Sequence, residues 1–260
     1  MKKLSVFLIV FALLLPLVFF LFKELPKIED SATENNDLPL EENNGTPFEE
    51  NNIDFFDLTY VAFGDSITYG ADYTRAYAQM DNPYPKLVSE ELKLLSFRNL
   101  GVSGATFVTN DLNRVCMTDN ILSFDENADI ISVMLGVNDY ACSLPLGTTT
   151  DNSNTTIYGS LNLIAKHLTT VYKDSFIFFM TPYKTTFNGS LSYSLSDVAN
   201  AVKEVADLYD ISVLDMYNLG NYELEMYSAS SDGIHPSQDF ISRYTAPQIA
   251  EFIKQNYNKK

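Results

Sequence analysis

Ala62-Phe63-Gly64-Asp65-Ser66-Ile67-Thr68-Tyr69-Gly70 is the stretch that decides the fold. It ends an apolar run, Leu58 to Phe63, short and rich in β-branched and aromatic residues, which reads as a buried strand. Gly64, Asp65 and Ser66 then turn the chain sharply. Open α/β sheets take their ligands in the crevice beyond the carboxyl ends of the strands, so a serine at this turn stands where such sheets do chemistry.

Outward from that turn, the same alternation recurs. Tyr69 to Asn82 is polar and aromatic and reads as a loop with some helix. Pro83-Tyr84-Pro85 opens a helical pattern carried by Leu87, Val88, Glu91, Leu92 and Leu95. A short strand over Phe97–Leu100 runs into Asn99-Leu100-Gly101-Val102-Ser103-Gly104. Residues 129–135 form the clearest strand and end in Gly136-Val137-Asn138-Asp139. Helices are expected over 156–172, 194–209 and 238–257, with strands over 175–180 and 211–215. Strands and helices alternate about five times, the pattern of a parallel sheet covered on both faces. No glycine fingerprint for a dinucleotide or a nucleoside triphosphate is present.

The net charge is −17. Residues 23–57 hold 11 acidic and two basic residues, and the chain from residue 58 onward still carries −10. So acidic a surface repels nucleic-acid phosphates and anionic lipid headgroups; nucleic-acid binding is not expected. Lys2-Lys3 precede an apolar run from Leu4 to Phe22, near the length that spans a membrane, without a small-x-small cleavage site after it. Residues 1–22 therefore read as a signal anchor or a signal peptide; both put the remainder outside the cytoplasm, and membrane contact is expected through this segment only. Residues 23–57 have the composition of a flexible acidic linker, leaving 58–260 as the folded domain. Cys116 and Cys142 are the only cysteines, and an extracytoplasmic location permits a disulfide between them. Two cysteines without a ligand cluster give no metal site.

The chain has two histidines. His167 lies within a helical stretch, where packing is the ordinary role. His235 lies in Asp232-Gly233-Ile234-His235-Pro236, a turn before the last helix. A serine hydroxyl becomes nucleophilic when a base takes its proton, and an imidazole titrates near working pH; activity is then expected to rise with pH. A carboxylate holds the imidazole's tautomer, and Asp232 is within one turn. The oxyanion formed in acyl transfer needs fixed donors: the backbone N–H groups of Ser66 and Gly104 and the side-chain amide of Asn138 are suitably disposed.

Gly64-Asp65-Ser66, Asn99-x-x-x-Ser103-Gly104, Gly136-Val137-Asn138-Asp139 and Asp232-x-x-His235-Pro236 together resemble the four blocks of the SGNH (GDSL) hydrolase superfamily, in that family's order. The resemblance implies a flavodoxin-like three-layer α/β/α sandwich with five parallel strands. It implies Ser66 as nucleophile, His235 as base and Asp232 as its orienting acid, with Ser66, Gly104 and Asn138 around the oxyanion. Gly104 rather than Gly101 matches, because the family's glycine lies five residues after the block's asparagine. The Gly-x-Ser-x-Gly elbow of α/β-hydrolases does not fit, since Thr68 stands where its second glycine belongs.

The expected reaction is ester hydrolysis through an acyl-enzyme, with no cofactor. Tyr69, Tyr73, Tyr140, Tyr183, Phe187 and Tyr193 fall near expected strand ends; Tyr69, Tyr140 and Tyr183 are the candidates for substrate contact. Aromatic rings among polar neighbours suit a sugar, so short acyl esters, acetyl foremost, on carbohydrate are the expected substrate. An O-acetyltransferase acting on cell-wall glycans uses the same serine chemistry, a lysophospholipase or thioesterase prefers long acyl chains, and a non-catalytic surface binding domain would have no need of both Ser66 and His235.

Overall fold

The computed structural model describes residues 54–219 and 232–257. The readings for residues 1–22, and for all but the last four residues of 23–57, lie outside this range. In chain order, β1 (Thr59–Gly64) is followed by a hairpin of β2 (Ala71–Asp72) and β3 (Ala78–Gln79), then β4 (Ser96–Gly101), β5 (Ile130–Met134), β6 (Phe176–Met180) and β7 (Ser212–Leu214). Five of these form one parallel sheet in the order β4-β1-β5-β6-β7. From β1 the chain steps to one side for β4 and then crosses to the other for β5. That reversal is the topological switch at which open α/β sheets bind ligands.

The register levels the strand ends. Gly64 is opposite Gly101 on one side and Met134 on the other, so the segments that follow β1, β4 and β5 leave the sheet side by side. The central strands β1, β5 and β6 are buried because their side chains alternate between two apolar layers, whereas the first half of the edge strand β4 is exposed. Val61, Phe63, Ile131, Val133 and Phe179 face one core, with α3 (Met117–Leu122), α5 (Ile157–Val171) and α6 (Leu195–Leu208) supplying its other half. Tyr60, Ala62, Ile130, Met134, Phe178 and Met180 face the second, closed by α2 (Tyr84–Leu92) and the C-terminal helix. Tyr60 is tolerated there because its hydroxyl meets Ser132 Oγ at 2.8 Å. The architecture is the expected three-layer α/β sandwich.

Local chemistry sets the helix ends. Ser194 and Asp197 form a reciprocal capping box at the start of α6, and Thr156 Oγ1 accepts the Gly159 N–H at the start of α5. Lys93 turns left-handed and ends α2, leaving Leu95 outside the helical stripe and 66% exposed. The C-terminal helix runs from Gln238 to Asn256 with a π-helical turn at Ile241–Thr245.

Three expectations are corrected. The polar stretch after Ser66, expected as a loop with some helix, contains a short hairpin, and its helical part is a 3₁₀ turn, Tyr73–Arg75, between the two strands. Cys116 and Cys142 are free thiols. Cys116 is fixed beside Thr106, donating from Sγ to Phe107 O at 3.2 Å, while Cys142 ends the short helix α4 (Val137–Ala141). Finally, Phe55 is buried against Tyr257, with ring centroids 5.5 Å apart, so packing begins ahead of residue 58.

Candidate active site

The serine sits on a turn that the fold over-determines. Gly64 has no room for a side chain: a Cβ there would lie 2.7 Å from Met134 O and would collide with Thr68. Asp65 caps the four-residue helix α1 (Ser66–Tyr69), accepting the Ile67 N–H at 2.9 Å. Burial raises the Asp65 carboxyl to about 7, partly opposed by that N–H. Asn99 ties the next segment to the helix by donating to Thr68 O at 2.8 Å, while Val102 N–H reaches Gly64 O at 3.0 Å. Ser66 heads the helix, nearly buried at 6% exposure.

The histidine arrives from the far end of the chain on a turn that organises itself. Asp232 Oδ1 accepts the N–H groups of Ile234 and His235 at 2.9 and 3.0 Å. Its Oδ2 lies 2.7 Å from His235 Nδ1, and His235 Nε2 lies 2.7 Å from Ser66 Oγ. With Nδ1–H donating to the carboxylate, Nε2 is left to accept the serine proton. Gly233, at φ +70°, makes the bend and packs directly on Thr186. The sequence-predicted Ser66, His235 and Asp232 are thus joined in one hydrogen-bonded chain.

The two other expected donors are fixed beside each other. Gly104 adopts φ +80°, a left-handed conformation that a side chain disfavours. Its carbonyl accepts from Arg114 Nη1 at 3.1 Å. Asn138 spends one amide hydrogen on Ala105 O at 3.0 Å, which orients the amide and leaves the other hydrogen available. The neighbouring Asp139, fully buried, accepts Phe107 N–H and Val108 N–H at 3.0 and 3.1 Å. Burial raises its carboxyl to about 6, with those two N–H groups and the nearby Arg114 cation opposing the rise. Residues 138 and 139 therefore latch the end of β5 onto the segment after Gly104. Among the described residues, no group of three or more His, Cys, Asp or Glu could hold a metal ion.

The model of the GDSL-like lipase/acylhydrolase family matches residues 62–239, a span that contains every one of these groups. The chain belongs to that family. Solved structures share the fold of this GDSL-like hydrolase at low identity. A protein from Lactobacillus plantarum is 24% identical, with a TM-score of 0.67, over 78% of this chain and 99% of its own. The lipase/acylhydrolase from Enterococcus faecalis is 18% identical, TM-score 0.58, over 78% and 98%. A carbohydrate acetylesterase family member from Sinorhizobium meliloti is 17% identical, TM-score 0.55, over 76% and 98%. No curated protein sequence matches the chain.

The aromatic candidates of the GDSL-like hydrolase divide. Tyr183 is core rather than rim: it is 6% exposed, its hydroxyl meets Thr245 Oγ1 at 2.6 Å, and its ring packs on Phe240. A buried tyrosine needs a polar partner for its hydroxyl, and the π turn supplies one. Tyr140 is half-buried with its ring 6.2 Å from that of Tyr193, and Tyr69 is half-buried with its carbonyl taken by Gln79. The residue that sequence reasoning missed is Tyr77. It is 51% exposed, its ring centroid lies 5.3 Å from that of His235, and its hydroxyl donates to Asp232 Oδ2 at 3.4 Å. Arg114 was missed too. Arg75, Arg98 and Arg243 form ion pairs with carboxylates, whereas Arg114 donates to the Gly104 carbonyl and lies near the buried Asp139 carboxyl.

Proposed function

We propose that this hydrolase is an exported serine esterase that removes short acyl groups, acetyl foremost, from carbohydrate hydroxyls. The observation that carries the reading is the unbroken Ser66–His235–Asp232 chain, 2.7 Å at both of its ring-nitrogen links. In the first step Ser66 Oγ attacks the ester carbonyl as its proton passes to His235 Nε2, and Asp232 steadies the imidazolium. The carbonyl oxygen becomes an oxyanion that the N–H groups of Ser66 and Gly104 and the free amide hydrogen of Asn138 can hold. Collapse expels the alcohol, which takes the proton from Nε2. Water then attacks the acyl-Ser66 with His235 again as base, and the carboxylic acid leaves.

The carbohydrate reading is supported by exposed aromatic rings, Tyr77 at 51% and Phe187 at 41%, and by the fold shared with a carbohydrate acetylesterase family member. Export rests on the Leu4–Phe22 run and the acidic segment after it, with the hydrolase domain following from about residue 58. The test is hydrolysis of p-nitrophenyl acetate, butyrate and octanoate by wild type and Ser66→Ala. Acetate preference that falls about 10³-fold or more in the variant supports the reading. Octanoate preference would move the substrate to lipids, and equal activity in both proteins would remove Ser66 from the chemistry.

A further inference from the structure

Tyr77 does not fill a core, yet the backbone goes to some trouble to present it. Ala76 and Tyr77 are consecutive residues with side chains at φ +52° and +62°, in the left-handed region that a Cβ disfavours. Left-handed residues of this kind persist where their surroundings fix them, and they gather at functional sites. Here the Tyr77 N–H donates to Asp72 O at 2.8 Å, Asp72 caps the intervening turn through Thr74, and β2 pairs with β3 on either side. The product is a ring held half in solvent, inclined at 63° to the His235 imidazole.

We propose that Tyr77 is the platform for the leaving group, an aromatic face that receives the ring-shaped alcohol carrying the ester and so favours sugar esters over esters of small acyclic alcohols. The inference rests on the function proposed above and names the residue that would select the alcohol. His235 Nε2 must return its proton to the leaving oxygen, which places that oxygen within about 3 Å of Nε2. The Tyr77 ring, its centroid 5.3 Å from that of the imidazole, borders the space into which the atoms attached to that oxygen extend. A tyrosine offers an apolar face with a polar tip. That combination matches the C–H face and the hydroxyl edge of a pyranose, and the Tyr77 hydroxyl is anchored at Asp232. Because the hairpin fixes the ring beforehand, little ordering is needed when the sugar arrives.

This assignment makes a kinetic statement that general damage to the site would not reproduce. All acetyl esters yield the same acetyl-Ser66, so a leaving-group platform acts on acylation and discriminates by alcohol. The experiment uses the full chain, as wild type, Tyr77→Ala and Tyr77→Phe, with a monoacetylated methyl xylopyranoside and ethyl acetate as substrates. We expect Tyr77→Ala to lower kcat/KM for the glycoside about tenfold more than for ethyl acetate, and Tyr77→Phe, which keeps the ring, to hold the wild-type ratio within about twofold. The ratio is taken on one preparation, so loss of folded enzyme cancels. Free methyl xylopyranoside should inhibit ethyl acetate hydrolysis in wild type and Tyr77→Phe more strongly than in Tyr77→Ala. Equal losses on both esters, or a ratio that changes equally in Tyr77→Phe, would overturn the platform and leave Tyr77 as a group acting through the Asp232 hydrogen bond. Wild type that hydrolyses neither ester in a Ser66-dependent way would overturn the proposed function itself, and the platform with it.

Discussion

The two halves of the site are held in different ways. Ser66 is fixed by the sheet: a glycine that admits no Cβ, a buried aspartate at the helix cap, and an asparagine from the neighbouring strand all converge on its turn. His235 is fixed by a turn of its own, in which Asp232 holds two N–H groups with one oxygen and the imidazole with the other. The serine side is therefore inseparable from stability, whereas the histidine side is a local device resting on the fold. Substitutions should separate the two.

The largest effect belongs to the histidine side. Asp232→Asn keeps an oxygen for the turn but cannot enforce the tautomer. It should lower kcat/KM by roughly 10⁴-fold, as in other serine enzymes with this arrangement, while thermal unfolding moves by less than about 2 °C. A large loss of stability would show that the turn is part of the core after all. On the serine side, Gly64→Ala should destabilise the fold by about 2–3 kcal/mol, read from urea unfolding, because Met134 O belongs to the backbone of β5 and cannot move aside.

A third effect comes from the two buried carboxyls. Asp65 and Asp139 have folded-state values of about 7 and about 6 against an ordinary 3.8. Between those limits the folded chain binds more protons than the unfolded one, so their contribution to stability falls as pH rises from about 4 to about 7. Melting temperatures measured across that window should decline for wild type and decline less, by about 3 °C or more, for Asp65→Asn. A curve that is equally steep in the variant would assign the decline to other groups. The smallest effect is at Arg114. Arg114→Gln removes one charge-assisted hydrogen bond from the Gly104 carbonyl and should lower kcat on p-nitrophenyl acetate by about tenfold, with KM and melting temperature nearly unchanged.

The difference between the halves also explains what could be read in the sequence. β1, β5 and β6 are legible because strands buried on both faces are continuous apolar runs, and α5 and α6 because Thr156 and Ser194 announce them. Ser66, Asn138 and the Asp232–His235 pair are legible because each stands at the end of such an element or within three residues of its partner. The hairpin of β2 and β3 has no apolar alternation, only Ala-Asp facing Ala-Gln, so nothing in the pattern marks it. Nor does any residue type announce that Ala76 and Tyr77 turn left-handed, and that turn is what brings Tyr77 beside His235. Tyr183 misleads for the opposite reason: a tyrosine near a strand end looks like a rim residue until Thr245, on a π turn 62 residues away, satisfies its hydroxyl inside the core.

The central claim is that Ser66 carries the acyl group, and the most direct measurement is to trap it there. Wild type mixed rapidly with p-nitrophenyl acetate and quenched in acid should show a burst of nitrophenol. Peptide mass mapping of the quenched protein should then find acetyl on the peptide containing Ser66, with both signals absent from Ser66→Ala. Acetyl found on another residue, or a burst that survives the substitution, would contradict the account.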